Sequence, residues 1–181
     1  MTTSDDAAMT GSNPQAKGEL MLRGLLQGDI DAIAAFEAEI AIRSFADEAV
    51  TDLGHYRKKL GKLLKYGGDW TQVLTRRVPG EADLVLGWAW VAPRENFITG
   101  DRYADFRSFY VDGRRAGPAA AITLLRAVLA HSRAKGYTRI VGRTATSNEA
   151  MRSLYELAGF HERHVVYELD IGPGDVGGRR L

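Results

Sequence analysis

The chain has 181 residues, enough for one domain with a substantial core, and its 24 Lys and Arg nearly balance 23 Asp and Glu, for a formal charge of +1. Cysteine is absent, which excludes disulfides, thiolate catalysis and Cys-ligated zinc. No window holds the roughly 18–20 uninterrupted apolar residues of a membrane span, the polar N-terminus has no apolar signal segment, and the near-neutral charge leaves nucleic-acid binding to a local basic patch. No membrane partner is expected, and the expected location is cytoplasmic.

Residues 1–18 are small and polar and read as a disordered leader. Residues 19–171 read as a single domain, and the Gly-rich stretch 172–181 as a flexible tail. Met21 to Leu25 predicts a first edge strand, ending at Gln27-Gly28. Asp29 is placed to cap the following helix, in which Ile33, Phe36 and Ile40 share a face. A second helix is predicted over 52–66, with Leu53, Tyr56, Leu60, Leu63 and Leu64 inward. Its other side carries Arg57, Lys58, Lys59, Lys62 and Lys65, which read as a solvated face or as a surface for an anionic substrate or RNA.

Gly67-Gly68 stops that helix, Trp70 to Arg76 reads as a strand, and Pro79-Gly80 as a turn. Leu84 to Val91 has too little polarity for simple alternation and predicts a central strand covered on both faces. Trp88 and Trp90 share one of those faces, either as core or with one of them lining an acceptor pocket. Ala92 to Tyr103 reads as a polar loop opened by Pro93, carrying Arg94, Glu95, Asp101 and Arg102. It forms one wall of a cleft or a plain surface excursion.

The aromatic strand 105–111 runs into the loop Asp112-Gly-Arg-Arg-Ala-Gly-Pro-Ala119. A helix is predicted from Pro118, striped by Ile122, Leu125 and Leu129, widened by Leu124 and Val128, and ended by Gly136. A short strand comes next over 137–141. Thr146 and Glu149 have capping-box spacing, and Met151, Leu154, Tyr155 and Ala158 make the inner face of a helix stopped by Gly159. His164 to Asp170 supplies a last strand. The order predicts an α/β fold with a mixed central sheet flanked by helices. The four histidines lack metal-ligand spacing, so no metal is expected.

The loop after residue 111 has a chemistry of its own. Small residues at 116, 117 and 119 let a ligand approach the backbone, and Arg114 and Arg115 add charge. The first turn of the next helix points free amides and the positive end of its dipole there. Pro118 suits the first helical position, where an N–H is dispensable. The loop is neither a dinucleotide fingerprint nor a P-loop.

Taken together with residues 148–160, the loop resembles the acetyl-CoA pyrophosphate loop of the GNAT superfamily of N-acetyltransferases. The family pattern Gln/Arg-x-x-Gly-x-Gly/Ala falls on Arg114, Gly117 and Ala119. Downstream, Asn148, Ala150, Tyr155 and Gly159-Phe160 stand at the family's offsets. The likeness runs from about residue 21 to 170 and is specific over 111–160. It implies the acyl-CoA N-acyltransferase fold, acetyl-CoA as donor, and direct acetyl transfer to a primary amine of a small molecule or peptide.

By position, the resemblance puts the CoA pyrophosphate on the amides of Arg115, Ala116, Gly117, Ala119 and Ala120, beside Arg114. It puts the pantetheine arm along the backbone of Tyr110 and Val111, with Asn148 on the other side. Tyr155 matches the general acid, and Asp105 stands where many members carry a basic Glu. Asp105 would equally cap its strand or pair with Arg107. Trp88, Glu95 and Asp101 are the candidates for acceptor contacts. Two departures stand out: Pro118 removes one amide, and the loop between Val111 and Arg114 is short. They keep open a non-catalytic acyl-CoA-binding or structural module, and the basic helix keeps open a nucleic-acid-linked amine such as charged tRNA. Homodimers are common in the family, and the last strand would offer an edge for one.

Overall fold

The computed structural model describes residues 18–45, 48–77, 80–167 and 169, and these fall into two compact units that divide between Ala145 and Thr146. The expected leader up to residue 17, the tail, and Pro79 of the expected turn lie outside the described residues.

The first unit is built on a five-stranded sheet in the order β1-β2-β3-β4-β5. Its strands are β1 (Glu19–Arg23), β2 (Trp70–Arg77), β3 (Leu84–Glu95), β4 (Arg102–Val111) and β5 (Ile140–Gly142). Neighbours are antiparallel except β4 and β5, which run parallel. On one face lie α1 (Ile30–Phe45) and α2 (Leu53–Tyr66), where Ile33, Phe36 and Leu60 pack with Val73 and Trp88. On the other face a one-turn α3 (Gly113–Ala116) leads into α4 (Ala120–Ala134), and Ala116 and Ala120 pack on Leu74 and Leu86. Alternate side chains of β2 and β3 thus feed two cores, which is why Leu84 to Val91 lacks polar alternation.

Several local readings are corrected. Asp29 does not cap α1. It sits in a 3-10 turn (Gln27–Asp29), where its carboxylate receives Arg23 through two bonds of 2.6 and 2.8 Å and the Leu26 amide at 2.9 Å. A paired charge is the form in which a buried carboxylate is tolerated, and Asp29 is 3% exposed. The expected loop 92–103 is mostly strand, because β3 continues through Pro93 to Glu95 and pairs there with Arg102. Pro93 fits because β2 stops pairing at Val91, so the missing N–H falls on an open strand edge. Pro118 lies two residues before α4 as assigned, with Ala119 at its N-cap.

The second unit holds α5 (Glu149–Leu157). Its N-cap is Asn148 rather than Thr146: the Asn148 carbonyl oxygen accepts the Met151 amide at 3.1 Å. Among the described residues no strand forms over 161–167, and Val165, Val166 and Tyr167 are exposed. Residue type favoured a strand there, but a strand exists only where a partner pairs with it.

Asp29→Ala should strand Arg23 and the Leu26 amide and cost about 2 kcal/mol, allowing for the partial exposure of Arg23. A urea midpoint unchanged from the parent would remove this pair from the account of stability.

Candidate active site

β4 departs from regular pairing in two places that matter. Trp90 stands opposite Ser108 and Val91 opposite Phe106, so Arg107 is an extra residue, a β-bulge. β5 pairs with Ala104, Asp105 and Phe106 and goes no further. From Arg107 to Val111 the backbone on the β5 side of β4 therefore has no strand beside it among the described residues. Tyr110 and Val111, the expected arm-binding positions, lie on this open stretch.

The bulge also sets which side chains share a face. Tyr110, Ser108 and Asp105 stand opposite Trp88, Trp90 and Ala92 and face α1. The Tyr110 ring stacks on Phe36 at 4.3 Å, and its hydroxyl donates to Glu39 Oε2 at 2.5 Å. Burial and then that bond push the phenol up to about 12. Glu37 of α1 accepts from Trp88 Nε1 at 3.0 Å and from the Ser108 hydroxyl through the same oxygen. Burial raises the Glu37 pKa against the lowering effect of these two bonds and of Lys59. Nothing in the sequence reading singled out Glu37, yet an acid among Ile33, Phe36 and Ile40 was a visible signal.

Trp88 is fully buried, so it belongs to the core and does not wall an acceptor site. Trp90 is half-buried and donates to Asp69 at 2.7 Å. Glu95 is an exposed residue at the end of β3. Asp101 lies in the hairpin turn and pairs with Arg139 at 3.2 Å. Asp105 is 5% exposed and is met by Arg107 at 3.3 Å and by Arg94 and Arg143 at 3.6 Å each. Asp101 and Asp105 are thus both engaged by arginines.

In the loop, Asp112 caps α3 and holds Arg115 at 2.5 Å. Burial acts upward on the Asp112 carboxyl, but the bonds from Arg115 outweigh it and leave its pKa lowered. Several amides expected to meet a pyrophosphate donate within the chain: Arg115 to Asp112 at 3.2 Å, Ala116 to Asp112 at 2.8 Å, Gly117 to Gly113 at 3.2 Å and Ala120 to Gly117 at 3.3 Å. The Arg115 amide also donates to the Asp112 carboxylate at 3.1 Å, so an incoming anion competes with long bonds at Gly117 and Ala120 and with the cap at Arg115. Gly117 has φ +91°, and an added Cβ there would meet nothing within 4 Å. Backbone approach is open at that point, next to the start of a 15-residue helix and exposed Arg114. These residues suit a pyrophosphate, with Ala119 outside the bonds just named.

In the second unit, Tyr155 is half-buried and packs on Phe160 with centroids 4.7 Å apart. Burial pushes its pKa up to about 12, so it holds its proton throughout the neutral range. Asn148 uses its carbonyl oxygen as a cap, which leaves the amide NH₂ as the donor end for a ligand.

Glu37→Gln keeps an acceptor for Trp88 and Ser108 and removes the cost of a buried charge. A carboxyl whose folded pKa is raised favours folding in acid and loses that contribution as pH rises through the folded value. The variant should therefore be the more stable one near pH 8, with the gap closing towards acid. A gap that stays constant across pH, in thermal melts, would contradict the assignment.

Neither a protein-family model nor a curated protein matches the sequence significantly. Solved structures do match. Ribosomal-protein-alanine N-acetyltransferase from Brucella melitensis biovar Abortus 2308 aligns with TM-score 0.61 and 18% identity, over 84% of this chain and all of the other. Glucosamine-6-phosphate N-acetyltransferase from Arabidopsis thaliana aligns with TM-score 0.59 and 14% identity, over 85% and 99%. A predicted acetyltransferase from Clostridium acetobutylicum, solved with acetyl-CoA, aligns with TM-score 0.65 and 14% identity, over 84% and 97%. The chain has the mixed-sheet GNAT fold of acetyltransferases.

Proposed function

We propose that the protein is an N-acetyltransferase that moves acetyl from acetyl-CoA directly to a primary amine of a small molecule or peptide. The observation that carries this reading is the open edge of β4 from Arg107 to Val111, where β5 stops at its pairing with Phe106. An extended amide-bearing arm can add to such an edge as another strand would, through main-chain bonds. The edge runs straight into Asp112 and the loop at Gly117, so one continuous path serves an arm and its phosphates.

Acetyl-CoA supplies the activated acetyl thioester. Backbone groups of Tyr110 and Val111 hold the arm, and Arg114, Gly117 and Ala119 receive the pyrophosphate at the start of α4. Ala116 and Ala120 have buried methyl groups, which set the loop against the sheet. The resemblance to the family gives Asn148 a hydrogen bond to the arm through its side-chain amide. By the same resemblance Tyr155 gives its proton to the leaving thiolate while the amine's surplus proton passes to water, a role that suits a phenol kept protonated by burial.

Calorimetric titration with acetyl-CoA, and separately with CoA, tests the reading. Micromolar binding is expected, and no binding to either would leave a structural module on the same fold. Gly117→Glu puts bulk and negative charge on a left-handed backbone position and should abolish that binding. Unchanged affinity would remove the loop from the site. Tyr155→Phe should slow turnover about a hundredfold while leaving cofactor affinity near the parent value. Equal turnover would take Tyr155 out of the acid role.

A further inference from the structure

Where β5 leaves β4, three guanidinium groups converge on one carboxylate. Arg107 donates to Asp105 Oδ2 at 3.3 Å. Arg94 approaches the same oxygen at 3.6 Å, and Arg143 approaches Oδ1 at 3.6 Å. Separations of 3.6 Å are charge contacts rather than hydrogen bonds, so Asp105 leaves the donors of Arg94 and Arg143 unspent. One well-placed arginine would neutralise a single buried carboxylate. The cluster holds more positive charge and more donors than Asp105 uses.

The positions of these arginines are not those of loose surface charges. Arg107 is the bulge residue of β4, and its guanidinium also lies 5.2 Å from the centre of the Trp90 ring. Arg94 lies in the paired part of β3, opposite Tyr103. Arg143 directly follows β5, at the mouth of the open β4 edge. Side chains at 94, 107 and 143 are 48%, 37% and 71% exposed, while that of Asp105 is 8% exposed. The carboxylate is thus the buried floor of the cluster, and the arginine side chains are its exposed part. A guanidinium fork matches the paired oxygens of a carboxylate or phosphate.

We infer that the amine acceptor carries an anionic group, a carboxylate or a phosphate, which docks on Arg94, Arg107 and Arg143 above Asp105. This deepens the acetyltransferase reading and rests on it. A cationic polyamine would meet repulsion there. An amino acid, a peptide C-terminus or a phosphorylated amine would meet charge and donors that are already arrayed.

The test uses the full chain saturated with CoA and calorimetry with two matched pairs of amines. O-phosphoethanolamine is compared with ethanolamine, and glycylglycine with glycylglycinamide. In at least one pair, the member that carries the phosphate or carboxylate should bind about tenfold or more tighter than its partner, which lacks that anionic group. The winning pair tells phosphate from carboxylate. The double variant Arg94→Gln, Arg143→Gln retains Arg107 as the partner of Asp105, and it should lose the preference while keeping its CoA affinity. No preference in either pair, no binding by any of the four, or a preference that survives in the double variant would overturn the inference with the CoA site intact. Failure of CoA itself to bind would overturn the acetyltransferase reading and this inference together.

Discussion

A single extra residue in β4 sets the geometry of one half of the sheet. Because Arg107 is inserted opposite the Trp90–Val91 step, the strand changes its alternation in mid-course. Asp105 and Ser108 come to the same face as Trp88 and Trp90, while Phe106 and Phe109 meet edge to face, 5.6 Å apart. A bulge also increases local twist, which turns the far end of β4 away from a straight neighbour. β5 pairs up to the residue before the bulge and then ends. The open edge, the arginine cluster and buried Asp105 all lie beside that one local insertion.

The two faces of the sheet do different work as a result. Beneath α4, small residues at 116 and 120 let the loop lie close over Leu74 and Leu86. Beneath α1, the core is interrupted by polar groups that bond one another: Glu37 with Ser108 and Trp88, and Glu39 with Tyr110. A half-buried carboxylate is tolerated because its partners are fixed by strands on one side and a helix on the other. Such a layer resists being rearranged one residue at a time.

Much of this was legible in the sequence where the signal is periodic or local. The faces of α2 and α5 were read from helical spacing, and the stop at Gly67 from residue type. The Gly117 loop and the Asn148–Tyr155 spacing pointed to the fold family. What could not be read depended on partners. Pro93 argued against a strand, and only the end of β2 at Val91 makes it acceptable. Val165 to Tyr167 has strand composition without a strand, and Asn148 displaced Thr146 as a cap although both residue types can serve. A bulge of one residue leaves no trace in composition. Nor does a three-arginine cluster drawn from positions 94, 107 and 143, which are far apart in sequence.

Gly87 constrains the site from behind. It stands opposite Val111, and a methyl group built on it would lie 2.6 Å from the Tyr110 carbonyl oxygen and 3.2 Å from the Val111 Cα. Both obstacles are backbone, which cannot swing aside as a side chain can. Position 87 therefore tolerates no side chain unless β4 retreats, and what retreats is the stretch proposed to hold the acyl arm. The missing side chain of Gly87 thus sets how close two strands can come.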